Sequence, residues 1–321
     1  MNWLTEPFRH EFMQRALFGC ALIGFTNGVL SAFIVLRRLA LMADAMAHSL
    51  LPGVAVAIIL FGLAPGNLFI GALVAALLVG LGVQIISGSS RIKEDTSLGL
   101  LFACSFSLGL VLLSLSPSRV NVTHYLFGNI LGLSDGDLWI IYLISFIVLP
   151  SLVALQRPLL LLMFEPSVAA SQGVLVRPLN YMLMGLLVLS MISSLQAVGV
   201  ILALGMLIAP AATIYLCSDS FAAMFWGGGI LGMLGSCAGL FVSYWLNLPS
   251  GACIVLVLGV IFFAAYLFSP KYGVLSKFLR GRHLHEESLA RWEERTATNR
   301  PVLNRSEENR QVAKKVSNEG P

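Results

Sequence analysis

An acid and an imidazole placed four residues apart in an otherwise apolar run are the side chains best suited to chemistry in this sequence. Asp44 and His48 lie in "LALMADAMAHSLLPGVAVAIIL", residues 39–60, a stretch long enough to cross a bilayer. Four residues turn a helix by about 400°, so the two side chains share one face. A carboxylate oxygen and an imidazole nitrogen placed in this way can hold one divalent cation between them. Pro52 follows four residues later and has no N–H. The His48 carbonyl therefore loses its helical partner and is expected to face a kink, free for water or an ion. Ala43, Ala45, Ala47, Ser49 and Gly53 surround the pair. Residues this small let another helix approach or leave room for a passage.

The ligand types restrict the metal. Carboxylate plus imidazole suits manganese, ferrous iron and zinc, and the absence of thiolates beside the pair argues against copper(I). Two ligands are too few for a tight site, but a second copy or a sister chain could add two more across a two-fold axis. A weak shared site suits transport, because the ion must leave as readily as it enters. A charged Asp at the centre of a membrane helix costs ~2.5–3.5 kcal/mol, so such residues usually face a bundle interior or a wet path. The residues alone leave two other readings open. One is a structural contact, either an Asp44–His48 hydrogen bond or a pairing of Asp44 with Arg37 or Arg38. The other is a proton relay.

The elements that must position the pair are read from composition. Of the 321 residues, 57% are hydrophobic and 11% charged, about half the charge fraction of a soluble protein. Charge-free windows of about 20 residues recur, which points to an all-α, polytopic transmembrane helix bundle and excludes an ordinary soluble enzyme. Nine apolar segments are expected, at roughly 16–36, 39–61, 68–87, 97–116, 138–155, 180–198, 200–217, 221–245 and 252–269. The sixth and seventh are separated only near Gly199, so eight crossings is the alternative. Cys20, Cys104, Cys217, Cys237 and Cys253 all lie in apolar segments without a CxxC pair and read as small buried residues. Residues 1–15 read as an amphipathic segment without the order of a cleaved signal peptide.

Basic residues set the orientation. Arg37 and Arg38, then Arg91 and Lys93, then Arg157 and Arg177, and finally the tail all fall on the cytoplasmic side if nine helices start from outside. Residues 270–321 carry eleven Lys/Arg and seven Glu, so the whole net charge of +4 resides there. This segment reads as a charged cytoplasmic tail, disordered beyond residue 298, and not as a nucleic-acid surface. Two loops are long. Residues 116–137 lie outside. Residues 156–178 lie inside, are half apolar, have a proline near each end and contain the helix-like "PSVAASQG", as if built to pack against a partner.

"RRLALMADAMAHSLLPGVAVA" resembles the membrane permease family of ATP-binding-cassette importers for manganese, zinc and iron, in which Asp-x-x-x-His-x-x-x-Pro-Gly follows a basic pair. Those positions are Asp44, His48, Pro52 and Gly53 here. "KEDTSLGLLFACSFSLGLVLLS", "HYLFGNILGLSDGDL" and "VGVILALGMLIAPAATIYL" resemble further blocks of the family in the expected order, with Pro210 in the middle of the last. The resemblance implies a type II-like importer permease in the bacterial cytoplasmic membrane, with a transmembrane domain over 16–269. It implies a transported divalent metal at Asp44 and His48 and no permanently bound cofactor. The implied partners are a cytoplasmic ATPase, an extracytoplasmic metal-binding protein, a second permease chain and membrane lipid. "FEPSVAASQGV" is similar to the short cytoplasmic helix that docks on the ATPase, with Glu165, Ala169, Ala170 and Gly173 at the matching places. The tail from residue 270 has no counterpart in the family pattern.

Three function classes compete. The permease would leave ATP hydrolysis to a separate subunit, since the chain has no GxxxxGK[ST] loop. A self-contained proton- or ion-coupled carrier would show a second ionisable broken helix in a matching half, and only Pro210 answers to that. An intramembrane zinc enzyme would need a third ligand and an activated water, and neither HExxH nor GxSxG is present.

Overall fold

A computed structural model of the chain describes residues 10–62, 64–115, 130–269, 271 and 273. The expectations for residues 1–9, for the outer loop at 116–129 and for nearly all of the tail fall outside these residues. Among the described residues there is no strand. The helices are α1 (Glu11–Arg37), α2 (Ala40–Ser49), α3 (Leu51–Phe61), α4 (Pro65–Ser89), α5 (Glu94–Leu115), α6 (Asp135–Phe164), α7 (Pro166–Ser171), α8 (Val176–Val198), α9 (Val200–Cys217), α10 (Phe221–Leu246) and α11 (Ser250–Phe268). Contacts divide the chain into Met1–Ala265 and Tyr266–Pro321. The described part of the second unit is the last turn of α11 and a turn in which the Gly273 N–H donates to the Ser269 carbonyl, 3.1 Å.

All nine apolar segments are helical. Eight spans among the described residues are long and apolar enough to cross a membrane, with α2 and α3 counted as one. α9 has 18 residues, about 27 Å at 1.5 Å per residue. Its direction separates it from α8. Val198, at the end of α8, and Leu202 and Met206 of α9 pack with Met13, Cys20 and Ile23 in the first half of α1. Farther along α1, Asn27 meets Ser190 and Ser194 of α8, and the hydroxyl of Ser31 accepts the Ala211 N–H of α9 at 3.1 Å. α8 therefore runs against α1 and α9 runs with it. The chain reverses at Gly199, whose φ of 84° favours glycine.

α1 is the central helix, in contact with α6, α8, α9 and α10. A Cβ added at Gly24 would lie 2.5 Å from the Gly232 carbonyl, and one at Gly28 would collide with the Gly228 carbonyl. Association within lipid depends on such close backbone approach, because the acyl chains are as apolar as the side chains. Polar side chains tie α1 to its other neighbours, α8 and α6. Asn27 donates to Ser194 at 2.7 Å and accepts from Ser190, while Thr26 donates to Ser145 at 3.0 Å.

Three boundaries differ from the sequence-based expectation. α1 starts at Glu11, inside the segment expected to precede the first helix, and Arg15 there pairs with Glu11 at 2.8 Å and with Asp135 at 3.3 Å. α6 continues past Pro158 to Phe164, so much of the inner loop expected over 156–178 is helix. A proline removes one hydrogen bond, which neighbouring helices and local adjustment can absorb. Pro178 lies in the first turn of α8, where its missing N–H would have had no intrahelical partner.

Candidate functional site

The candidate ligands stand just before a break in the second span. α2 ends at Ser49 and α3 begins at Leu51, so the interruption falls two residues ahead of Pro52. Pro52 occupies the first turn of α3, where its missing N–H costs little. The expectation of a free His48 carbonyl needs correcting, because the Leu50 N–H turns back onto it. The Ser49 carbonyl accepts the Ser105 hydroxyl of α5 at 3.0 Å. Gly109, also on α5, lets that helix close on the break, since a Cβ there would lie 2.7 Å from the Cβ of Leu51. A Cβ at Gly53 would collide with the Gly71 carbonyl of α4. The break is thus held from two sides.

Asp44 and His48 share the expected face. His48 Nε2 lies 3.7 Å from Asp44 Oδ1, an ion-pair distance too long for a hydrogen bond. Two metal–ligand bonds of about 2.1 Å reach across up to about 4.2 Å, so one ion fits between these atoms. The Asp44 side chain is 49% exposed and that of His48 27%. The imidazole is flanked by Phe102 and Phe106 of α5, with ring centroids 5.9 and 5.8 Å away. Its other nitrogen, Nδ1, is buried and has no hydrogen-bond partner. Among the described residues no three His, Cys, Asp or Glu side chains gather, so the site here consists of two protein ligands. Beyond the break, α3, α4 and α5 enclose a cavity of about 580 Å³ lined by Pro52, Val56, Ile70, Val74 and Leu108. Neither ligand lines it, and walls this apolar cannot replace the hydration shell of an ion.

The second predicted site is the inner helix α7. It ends in a Schellman motif, with Gly173 N–H donating to the Ala170 carbonyl at 3.1 Å and Val174 N–H to the Ala169 carbonyl at 3.0 Å. Gly173 takes the left-handed conformation this requires, φ 79°. Glu165, Ala170 and Gly173 are exposed, whereas Ala169 is fully buried and faces the chain itself. The α5 residues Phe102, Ser105, Phe106 and Gly109 were not singled out from the sequence. They share one face at i, i+3, i+4 and i+7, but α5 is apolar all round and the spacing does not mark that face.

Residues 9–269 match the ABC 3 transport family. The chain belongs to that family. It is 40% identical over 275 residues to the manganese transport system membrane protein MntC of Listeria innocua, covering 86% of this chain and 97% of that protein. It is 36% identical over 279 residues to a probable iron transport system membrane protein of Haemophilus influenzae, covering 86% and 97%. The solved structure of PsaBC from Streptococcus pneumoniae in complex with Fab is similar, with a TM-score of 0.75, 35% identity and coverage of 84% and 96%. The chain is therefore an ABC transporter permease and a multi-pass protein of the bacterial inner membrane. Membership favours this reading over the self-contained carrier.

Proposed function

We propose that the chain is the membrane-spanning subunit of an ATP-driven importer that carries a divalent transition metal, manganese, iron or zinc, into the cytoplasm. The observation that carries the reading is the Asp44–His48 pair, 3.7 Å apart at the break of an apolar span, with one imidazole nitrogen buried and unpartnered. The two side chains would hold the ion transiently, as cargo. An equivalent pair from a second permease chain, identical or related, would complete the coordination. Relatives named for manganese and iron transport support this ligand chemistry.

Energy would come from a separate cytoplasmic ATPase. Its docking point would be α7, through Glu165, Ala170 and Gly173, with Ala169 anchoring the helix to the permease. An extracytoplasmic binding protein would deliver the ion. The proposed domain division is a permease region covering the membrane helices and a cytoplasmic tail over 270–321. The test is uptake of radioactive manganese by cells that express Asp44→Ala or His48→Ala. Uptake is expected to fall to background with membrane insertion unchanged. Wild-type uptake in either variant overturns the assignment.

A further inference from the structure

A second cavity lies at the opposite end of α4 from the apolar one. It encloses about 330 Å³ between the last turn of α4 and the first turns of α8. Gln84, Ile85 and Ser89 line it from α4, and Arg177, Asn180 and Tyr181 from α8. The Ser89 hydroxyl there is exposed and donates to the Ile85 carbonyl. None of the lining residues is acidic. Arg91 and Lys93 follow α4 directly and are exposed, so this end carries the basic residues that mark the cytoplasmic face.

An apolar track leads to the cavity. Leu78, Leu81 and Ile85 recur at helical spacing on α4 and are 65%, 47% and 63% exposed. A polar, cationic chamber at headgroup depth that continues into an exposed apolar ridge matches an amphiphile lying with its tail along the helix. We propose that this cavity binds the headgroup of an anionic, hydroxyl-bearing phospholipid of the inner leaflet, of the phosphatidylglycerol type. Arg177 and the Tyr181 hydroxyl donate to the phosphate oxygens. A headgroup hydroxyl donates to the exposed Ser89 oxygen, whose own hydrogen is donated to the Ile85 carbonyl. Choline or ethanolamine headgroups carry a cation, and the lining offers no carboxylate to receive it.

The test is native mass spectrometry of the full-length protein with limiting phosphatidylglycerol or phosphatidylcholine. One phosphatidylglycerol is expected to be retained in preference to phosphatidylcholine. Arg177→Gln is expected to lower that retention about fivefold, the effect of one basic side chain near an anionic membrane surface. Arg91→Gln, outside the cavity, is expected to leave it unchanged. Equal retention of the two lipids, or unchanged retention in Arg177→Gln, overturns the proposal. So does displacement by inorganic phosphate at the same concentration, which would make the cavity a site for soluble anions. A photoactivatable phosphatidylglycerol bound to the unaltered protein gives a test that needs no variant. Labelling of residues 84–89 or 177–181 supports the site, and labelling confined to other helices overturns it.

Discussion

A Cβ added at Gly28 of α1 would strike the backbone of Gly228 and come within 2.9 Å of the Gly229 Cα, whereas one added at Gly99 of α5 meets nothing within 4 Å. Burial follows the same division. In the most apolar 18-residue window, 72% of α1 is buried inside the chain and 11% of α5. Around α1, backbones touch at α10 and polar side chains pair with α6 and α8, so this region has few alternative packings. The α2–α5 region carries the broken span, two cavities against α4 and a half-exposed Asp44. Close backbone approach is not confined to α1, since Gly53 meets Gly71 of α4 beside the break, but the chain buries far less of α4 and α5 than of α1. The candidate ligands sit where the chain leaves surface for lipid or for a second permease chain.

The most direct way to break this comparison is to make the same substitution in both regions. Gly28→Leu forces α10 away from α1 and is expected to cost at least about 3 kcal/mol, the upper end for overpacking. Gly99→Leu faces open space and is expected to stay within about 0.5 kcal/mol of wild type. Thermal unfolding of the full-length protein in detergent separates them. If both variants unfold at the wild-type temperature, α1 is not the rigid centre.

Much of the helix layout was legible in the sequence, and the part that was not has a physical reason. Long charge-free runs mark every membrane helix, because a span in lipid cannot leave charge unpaired. The Asp44–His48 pair stands out for the same reason, as a costly exception to an apolar run. The ends of helices were read less well. Pro158 looks like a stop signal, yet a single missing N–H does not end a helix of 30 residues packed against its neighbours. The α5 contribution was hidden for another reason. Phe102, Phe106 and Gly109 are ordinary residues in a helix that is apolar on all sides, so periodicity does not say which face meets His48. Asn27 was passed over as well, because its partners Ser190 and Ser194 lie more than 160 positions away.

A smaller effect sharpens the comparison on the side of the site. Ser105 donates to the Ser49 carbonyl next to the break. Ser105→Ala leaves that carbonyl short of a donor and is expected to cost about 1–2 kcal/mol. Metal uptake should fall with it, because His48 precedes Ser49 directly and would lose its fixed placement. Ser105→Thr keeps the hydroxyl and should restore most of the uptake. Full uptake in Ser105→Ala would mean that packing by Gly109 and Gly53 holds the break without this bond.

The smallest expected effect on the bundle as a whole concerns α7, which belongs to neither packing regime. Its C-terminus depends on Gly173 at φ 79°, with open space around it. Gly173→Ala meets no neighbour and carries only the backbone penalty, about 1–2 kcal/mol for a left-handed residue. That penalty should fray one short helix and leave the unfolding temperature of the bundle unchanged. Co-purification with the ATPase subunit should nonetheless decline. Asn tolerates the left-handed region better than Ala, so Gly173→Asn should retain more of the complex if backbone conformation is what matters. Equal loss in the two variants would instead mean that the ATPase packs directly on the bare Gly173 backbone, where any side chain intrudes. Unchanged co-purification in both would remove α7 as the docking element.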